Sequence, residues 1–458
     1  MDGLSRTADS GGSAIHNVPP EIIIAILENL VASSQNLPFG RRYQYLIRFT
    51  HVSSQLRNTA ISTPTLWTQI EITDLPATFE LAKTCLQRSG EQRLNINIRV
   101  MSRMGTKLPG ILALINHTAV RTRRLMLNLV LKRGHQWLET QKALQALVFP
   151  CLGYLELIFR DEGSWEELQT TSLPVQVPKL RCLVTRTLLP SVEPTVLKNL
   201  KKLVISSSTH SSWPLGRLQD VLNECKRLEI LELIAKLPGS NMPVRHTAPG
   251  ESTRQNLPNL VRLTVKGQSS QFFPQLLLGL DAPKLEEVEL GFVSERLAEP
   301  ADWPSTHHAF HSVRLLSVSV LPYGSHTQAQ QFLPKAFPNV EELALSMHGW
   351  PILDAFTALP DGEGSLVATC WNELRGLRVA DPDPYSSRCG GRCMMRLEAV
   401  KSFLEVRSSR SLPRLKWAQV GSCGFVALEA GFDSTVEGIR AMLDEDEGLS
   451  FLVTRQVK

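Results

Sequence analysis

Apolar residues recur along most of this chain in one short phrase, apolar-x-x-apolar-x-apolar. It reads Leu152-Gly-Tyr-Leu-Glu-Leu157, Leu180-Arg-Cys-Leu-Val-Thr185, Leu200-Lys-Lys-Leu-Val-Ile205, Leu228-Glu-Ile-Leu-Glu-Leu233, Leu260-Val-Arg-Leu-Thr-Val265 and Leu285-Glu-Glu-Val-Glu-Leu290. Further copies begin at Val313, Val340, Leu374 and, in weaker form, Leu415. Upstream, Arg93-Leu-Asn-Ile-Asn-Ile98 and Arg124-Leu-Met-Leu-Asn-Leu129 carry the alternating half alone. An i, i+3, i+5 spacing cannot trace a helical stripe. Its last three positions alternate as a strand does, and its first fills the turn that leads in. Between the phrases, apolar residues step by three and four, which predicts helices. These fall over Ile111–Ile115, Leu138–Leu147, Leu218–Cys225, Gln275–Leu280, Gln328–Phe337 and Met394–Val406.

Successive first positions lie 28, 20, 28, 32, 25, 28, 27, 34 and 41 residues apart. Most of these spacings sit near the roughly 20–29 residues of a leucine-rich repeat. The fold class expected is therefore α/β: an irregular leucine-rich-repeat-like solenoid over 71–436, with parallel strands lining a concave face and helices on the other side. No copy can bury its apolar face alone, so stacking must supply the stability. A doubly wound enzyme fold would show continuous Val/Ile runs and a Gly-rich phosphate turn, and neither is present.

The first seventy residues differ in kind. Residues 1–14 are polar and contain Gly and Ser, as a flexible leader does. Val18-Pro-Pro-Glu-Ile-Ile-Ile-Ala-Ile-Leu-Glu-Asn-Leu30 opens a helix, because Pro is tolerated in a first turn and Glu21 suits the positive end of the helix dipole. Ile22, Ile23, Ile26, Leu27 and Leu30 share one stripe. A loop around Gly40 leads to a second near-helical run, Tyr43–Ile61, which Pro64 stops by pushing the residue before it out of helical angles. Trp67 follows that corner, where it can seal a small bundle.

These residues carry a resemblance. Val18-Pro-Pro-Glu-Ile-Ile resembles the Leu-Pro-Pro-Glu-Ile-Leu opening of an F-box. Thr50-His-Val-Ser-Ser-Gln-Leu-Arg-Asn-Thr-Ala-Ile-Ser-Thr-Pro-Thr-Leu-Trp67 is similar, without a gap, to a run common in fungal (basidiomycete-type) F-box-like proteins. The chain departs from that run at Ser53, where the pattern has Cys, at Leu56, where it has Trp, and at Val18, where it has Leu. The resemblance covers residues 15–70 and implies docking on the Skp-type adaptor of a cullin-based ubiquitin ligase. It further implies that Pro19, Ile22, Ile23 and Ile26 present an apolar ridge, completed by Val52 and Trp67. For each of these side chains, packing inside so small a module is the competing role.

Composition changes little in this picture. Of 458 residues 43% are hydrophobic and 20% charged, with 49 basic against 44 acidic side chains. Small basic clusters occur, such as Arg121, Arg123 and Arg124. None is interleaved with aromatics, so nucleic acid is not an expected partner. The eight cysteines are scattered through the chain, some in apolar runs, which suits a reducing compartment, cytoplasmic or nuclear. The longest apolar stretch, Ile22–Leu27, is far short of the ~20 residues that span a bilayer.

No phosphate loop, nucleophile elbow or paired-histidine zinc motif occurs. Cys389-Gly-Gly-Arg-Cys393 lacks two further zinc ligands nearby, and His307, His308 and His311 beside Trp303 read as loop histidines. Asp381-Pro-Asp-Pro384 is turn chemistry. Asp444–Glu447 is an acidic run in a C-terminal helix or tail expected over 437–458. No catalytic residue, cofactor or metal site is expected. The expected function is a non-enzymatic receptor that binds a client protein through the solenoid, and the alternative is a repeat scaffold without ligase coupling.

Overall fold

The computed structural model describes residues 18–33, 41–73, 75–100, 108–131, 142, 146–161, 172–173, 176–186, 191–192, 194–207, 215–235, 255–268, 276–277, 279–292, 309–320, 333–345, 353, 371–379, 392–409, 411–420, 432–442 and 452–453. It is a mixed α/β protein whose main strands run parallel, in two compact units, Met1–Leu180 and Arg181–Lys458. The leader expected over 1–14, the Gly40 loop and nearly all of Leu138–Leu147 lie outside the described residues.

The first unit begins with three helices, α1 (Pro20–Ser33), α2 (Arg41–Thr50) and α3 (Ser54–Ser62), then a tight 3-10 turn, Pro64–Trp67. The expected single run over Tyr43–Ile61 is broken here. Ser53 takes an extended conformation (φ −151°, ψ 159°), and its Oγ accepts from the Leu56 N–H at 3.1 Å, capping α3. Ser53, one of the three departures from the F-box-like pattern, thus starts a helix. We expect Ser53→Ala to cost about 1 kcal/mol in chemical denaturation, the ordinary value of a lost N-cap. Thr63 is extended ahead of Pro64, as expected.

Four parallel strands follow: β1 (Gln69–Thr73), β2 (Leu94–Val100), β3 (Thr122–Leu131) and β4 (Tyr154–Asp161). Helices α4 (Pro76–Arg88) and α5 (Leu108–Thr118) lie between them in the chain. The strand β1 and the helix α4 were not anticipated. Ile70, Ile96, Leu125 and Leu155 form one buried row across the strands, and Ile72, Ile98, Leu127 and Leu157 the next.

In the second unit each phrase supplies a strand, and a tenth strand of the parallel sheet has no phrase of its own. These are β5 (Cys182–Thr185), β6 (Lys202–Ser207), β7 (Ile230–Ala235), β8 (Arg262–Gln268), β9 (Glu287–Phe292), β10 (Leu315–Val320), β11 (Glu342–Leu345), β12 (Gly376–Val379), β13 (Trp417–Val420) and β14 (Leu452–Val453). Each pairs in parallel with the next, and the phrases stay in register. Leu183, Leu203, Leu231, Leu263, Val288, Leu316, Leu343, Leu377 and Ala418 make one continuous row. Thr185, Ile205, Leu233, Val265, Leu290, Val318, Leu345 and Val379 make a second. No side chain in either row is more than 3% exposed, and the leading residues of the phrases from Leu200 to Leu415 are fully buried.

The backbone repeats as strictly as the core. From the phrase at Leu180 to that at Val340, the second residue offers its carbonyl to two N–H groups of the next copy. Lys201 and Lys202 donate to Arg181, Glu229 and Ile230 to Lys201, Val261 and Arg262 to Glu229, and so on to Arg375 and Gly376, which donate to Glu341. Polar side chains just before the phrases add rungs: Asn259 Nδ2 donates to the Lys226 carbonyl, Ser312 Oγ to Leu285 and Asn339 Nδ2 to His311.

Helix α6 (Leu215–Glu224) falls where Leu218–Cys225 predicts it, and α7 (Arg392–Ser409) contains Met394–Val406. A last helix, α8 (Phe432–Ala441), begins ahead of the expected tail at 437, and the short strand β14 lies within that tail. Arg407 of α7 is 4% exposed and donates to the carbonyls of Trp371 (3.2 Å) and Pro413 (3.0 Å). Burial lowers its pKa to about 10, so it stays charged at neutral pH.

Candidate partner-binding surface

Two surfaces are open to a partner: the outside of the helical module, and the sheet faces turned away from the buried rows. The module is closed first by its own core. Ile23 and Leu27 of α1, Tyr43 and Leu46 of α2, Leu56 and Ala60 of α3, and Leu66 and Trp67 of the turn are all buried. Trp67 holds the group together. Its ring stacks on Tyr43 (centroids 6.3 Å apart, planes at 6°), its Nε1 donates to the Ala60 carbonyl at 2.7 Å, and the Arg88 guanidinium of α4 lies 4.4 Å over its face. Thr65 Oγ1 donates to Glu28 Oε1 at 2.8 Å, tying the turn to α1.

The six residues of the expected ridge divide accordingly. Ile23 is 3% exposed and Trp67 1%, and both are occupied inside the module. Pro19 is exposed, Ile22 is 51%, Ile26 52% and Val52 61% exposed. Pro19, just ahead of α1, lines up with Ile22 and Ile26 of α1 by the three- and four-residue rule. Gln55 Nε2 donates to the Val18 carbonyl (3.3 Å), which brings the α2–α3 corner bearing Val52 to the head of α1. These four residues are apolar and lie outside the module's buried core.

In the first unit burial pushes the Cys85 thiol up to about 11, against the smaller opposing pull of Tyr43 and Arg88, and in the second unit burial pushes the Cys225 thiol up to about 12. Both groups have folded pKa values above their unfolded ones. Their contribution to stability is therefore intact below about pH 9 and is lost as pH rises toward 11 and 12. We expect neither thiol to react with a maleimide at pH 8 in the folded chain and both to react in guanidinium, which mass spectrometry will read directly.

The outward face of the second unit's sheet is polar and largely self-paired. Lys201 meets Glu229 (2.5 Å), Lys202 meets Glu232 (2.5 Å), Arg262 meets Glu287, Lys266 meets Glu289 (2.6 Å) and Arg314 meets Glu341 (2.9 Å). Each joins one phrase to the next. Gly291 lets the second-unit strands approach, since a Cβ there would stand 3.0 Å from Lys266 Cγ and 3.3 Å from its Cα.

Among the described residues no three His, Cys, Asp or Glu stand close enough to hold a metal ion. Cys389, His307, His308 and the Asp381 and Asp444 segments lie outside the described residues, and His311 is exposed. No described helix is long and apolar enough to cross a membrane. The chain matches no protein-family model, and no curated protein matches it.

Proposed function

We propose that this chain is a substrate-recruiting subunit of a Skp–cullin–F-box ubiquitin ligase. On this reading residues 15–70 are an F-box, the stacked phrases are a leucine-rich-repeat solenoid with a strand-lined concave face, and a client protein binds that solenoid. The observation that carries it is the exposed quartet Pro19, Ile22, Ile26 and Val52 on a module that already has a buried core of its own. Among its described residues Ile22, Ile26 and Val52 are the most open large apolar side chains. Apolar groups half open to water beside a finished core suit a second protein. Covering them would supply a few kcal/mol, roughly 1–2 for each large side chain. The subunit itself performs no chemistry, and holding a client beside another protein's active site is its contribution.

The test is capture of a recombinant Skp-type adaptor by the full chain. Because Ile22 and Ile26 are half exposed, Ile22→Asp with Ile26→Asp should leave the fold intact while setting two charges against an apolar partner. We expect at least about a hundredfold weaker capture with unchanged thermal melting. A wild-type chain that captures no adaptor at near-stoichiometric expression would leave the solenoid as a scaffold without ligase coupling.

A further inference from the structure

Strand register assembles a cationic edge on the first unit that the linear sequence divides between two segments. Leu94 of β2 pairs with Thr122 of β3 and Asn95 with Arg124, so Arg93 comes beside Arg121, Arg123 and Arg124 at the start of the two strands. Arg121 NH1 donates to the Gln92 carbonyl at 3.4 Å, fastening one segment to the other. Arg93, Arg123 and Arg124 are exposed, and Arg121 is half-buried. Among the described residues none of the four pairs with a carboxylate, whereas on the second unit's sheet face cation after cation has an acidic partner. Glu91 is the one carboxylate in the flanking turn. Four arginines gathered at the start of adjoining strands make a local excess of positive charge, which an anion relieves.

We propose that this edge binds an acidic segment of a partner protein, taking its Asp and Glu carboxylates in bidentate arginine contacts. Two details favour a peptide over single-stranded nucleic acid. The Arg124 guanidinium lies 4.1 Å over the Tyr154 ring, which occupies that face of the ring and leaves the guanidinium edge to bond a carboxylate. Tyr154 is further held by donating to Glu156 Oε2 at 2.7 Å, so the stacked pair is fixed before any ligand arrives. Val120, 62% exposed and next to Arg121, offers an apolar contact that a peptide side chain can use and a phosphate backbone cannot.

The inference does not rest on adaptor docking, and where docking holds, this edge is one seat for a client. The test uses the full chain and three probes: an Asp/Glu-rich decapeptide containing one Leu, its Asn/Gln counterpart, and oligo-uridine. Fluorescence anisotropy at low salt should show the acidic peptide bound on the order of tenfold more tightly than either of the others. The preference should fade as salt is raised. Arg123→Gln with Arg124→Gln, both exposed, should abolish it. Lys83→Gln with Lys179→Gln, the same loss of charge elsewhere, should leave affinity within about twofold. Equal binding of acidic and neutral peptides, tighter binding of oligo-uridine, or equal loss in both double variants would overturn the proposal. Adaptor capture measured on the same arginine variant should be unchanged, so failure of the two readings is told apart.

Discussion

Trp67→Ala should destabilise the first unit by about 3–5 kcal/mol, the range for removing a large buried aromatic. Three losses coincide at that position. The ring is 1% exposed, so its removal leaves a cavity lined by Tyr43 and Ala60. The Ala60 carbonyl loses its donor, and a buried acceptor without a partner carries its own cost. Arg88 loses the aromatic face beneath its guanidinium. Hydrogen exchange of peptides covering 18–67, followed through a urea titration, will show the effect as lost protection in α1–α3. Ile22→Ala on the same module should cost less than about 0.5 kcal/mol, since Ile22 already faces water. Comparable costs for the two would mean that Trp67 does not organise the core.

Leu263→Ala should cost the second unit about 2–5 kcal/mol. Leu263 sits in the middle of the long row, between Leu231 and Val288, and is fully buried. Neighbouring strands are pinned on both sides, so the gap cannot collapse. The adjacent residue makes the contrast. Arg262→Ala breaks the pair with Glu287, whose side chains are 50% and 35% exposed. An ion pair so open to solvent contributes little, and a change within about 0.5 kcal/mol is expected. A urea titration of both variants decides whether core or surface holds the copies together.

The strands were legible because a spacing of i, i+3, i+5 leaves a mark that helices cannot imitate. The phrases at Leu200, Leu228, Leu260, Leu285, Val313, Val340 and Leu374 each supply a strand at the expected place. The α2–α3 break was hidden because Phe49, Val52 and Leu56 continue a helical spacing across it, while Ser53 acts through a single hydroxyl. The ridge was legible as a stripe but not as a surface. Ile22 and Ile23 are the same residue one step apart, and only packing against α2 and α3 decides that the second is buried. Strand β1 was missed although Trp67-Thr-Gln-Ile-Glu-Ile72 fits the phrase, because Trp67 reads first as the seal of the helical module. The arginine edge reads as scattered charge until β2 and β3 are placed side by side, because no local pattern joins Arg93 to Arg124.

The doubled acceptors that run from Arg181 to Glu341 fix the rise from one copy to the next by main-chain geometry alone. Side-chain identity at those positions is then unconstrained, and Lys, Glu, Val and Arg all occupy them. The same decoupling explains how spacings from 20 to 41 residues coexist with unbroken alignment. Additional length falls between the strands and does not shift their register. Evolution, or an engineer, can therefore rewrite the connecting segments, in size and in chemistry, while the spine beneath them keeps its pitch.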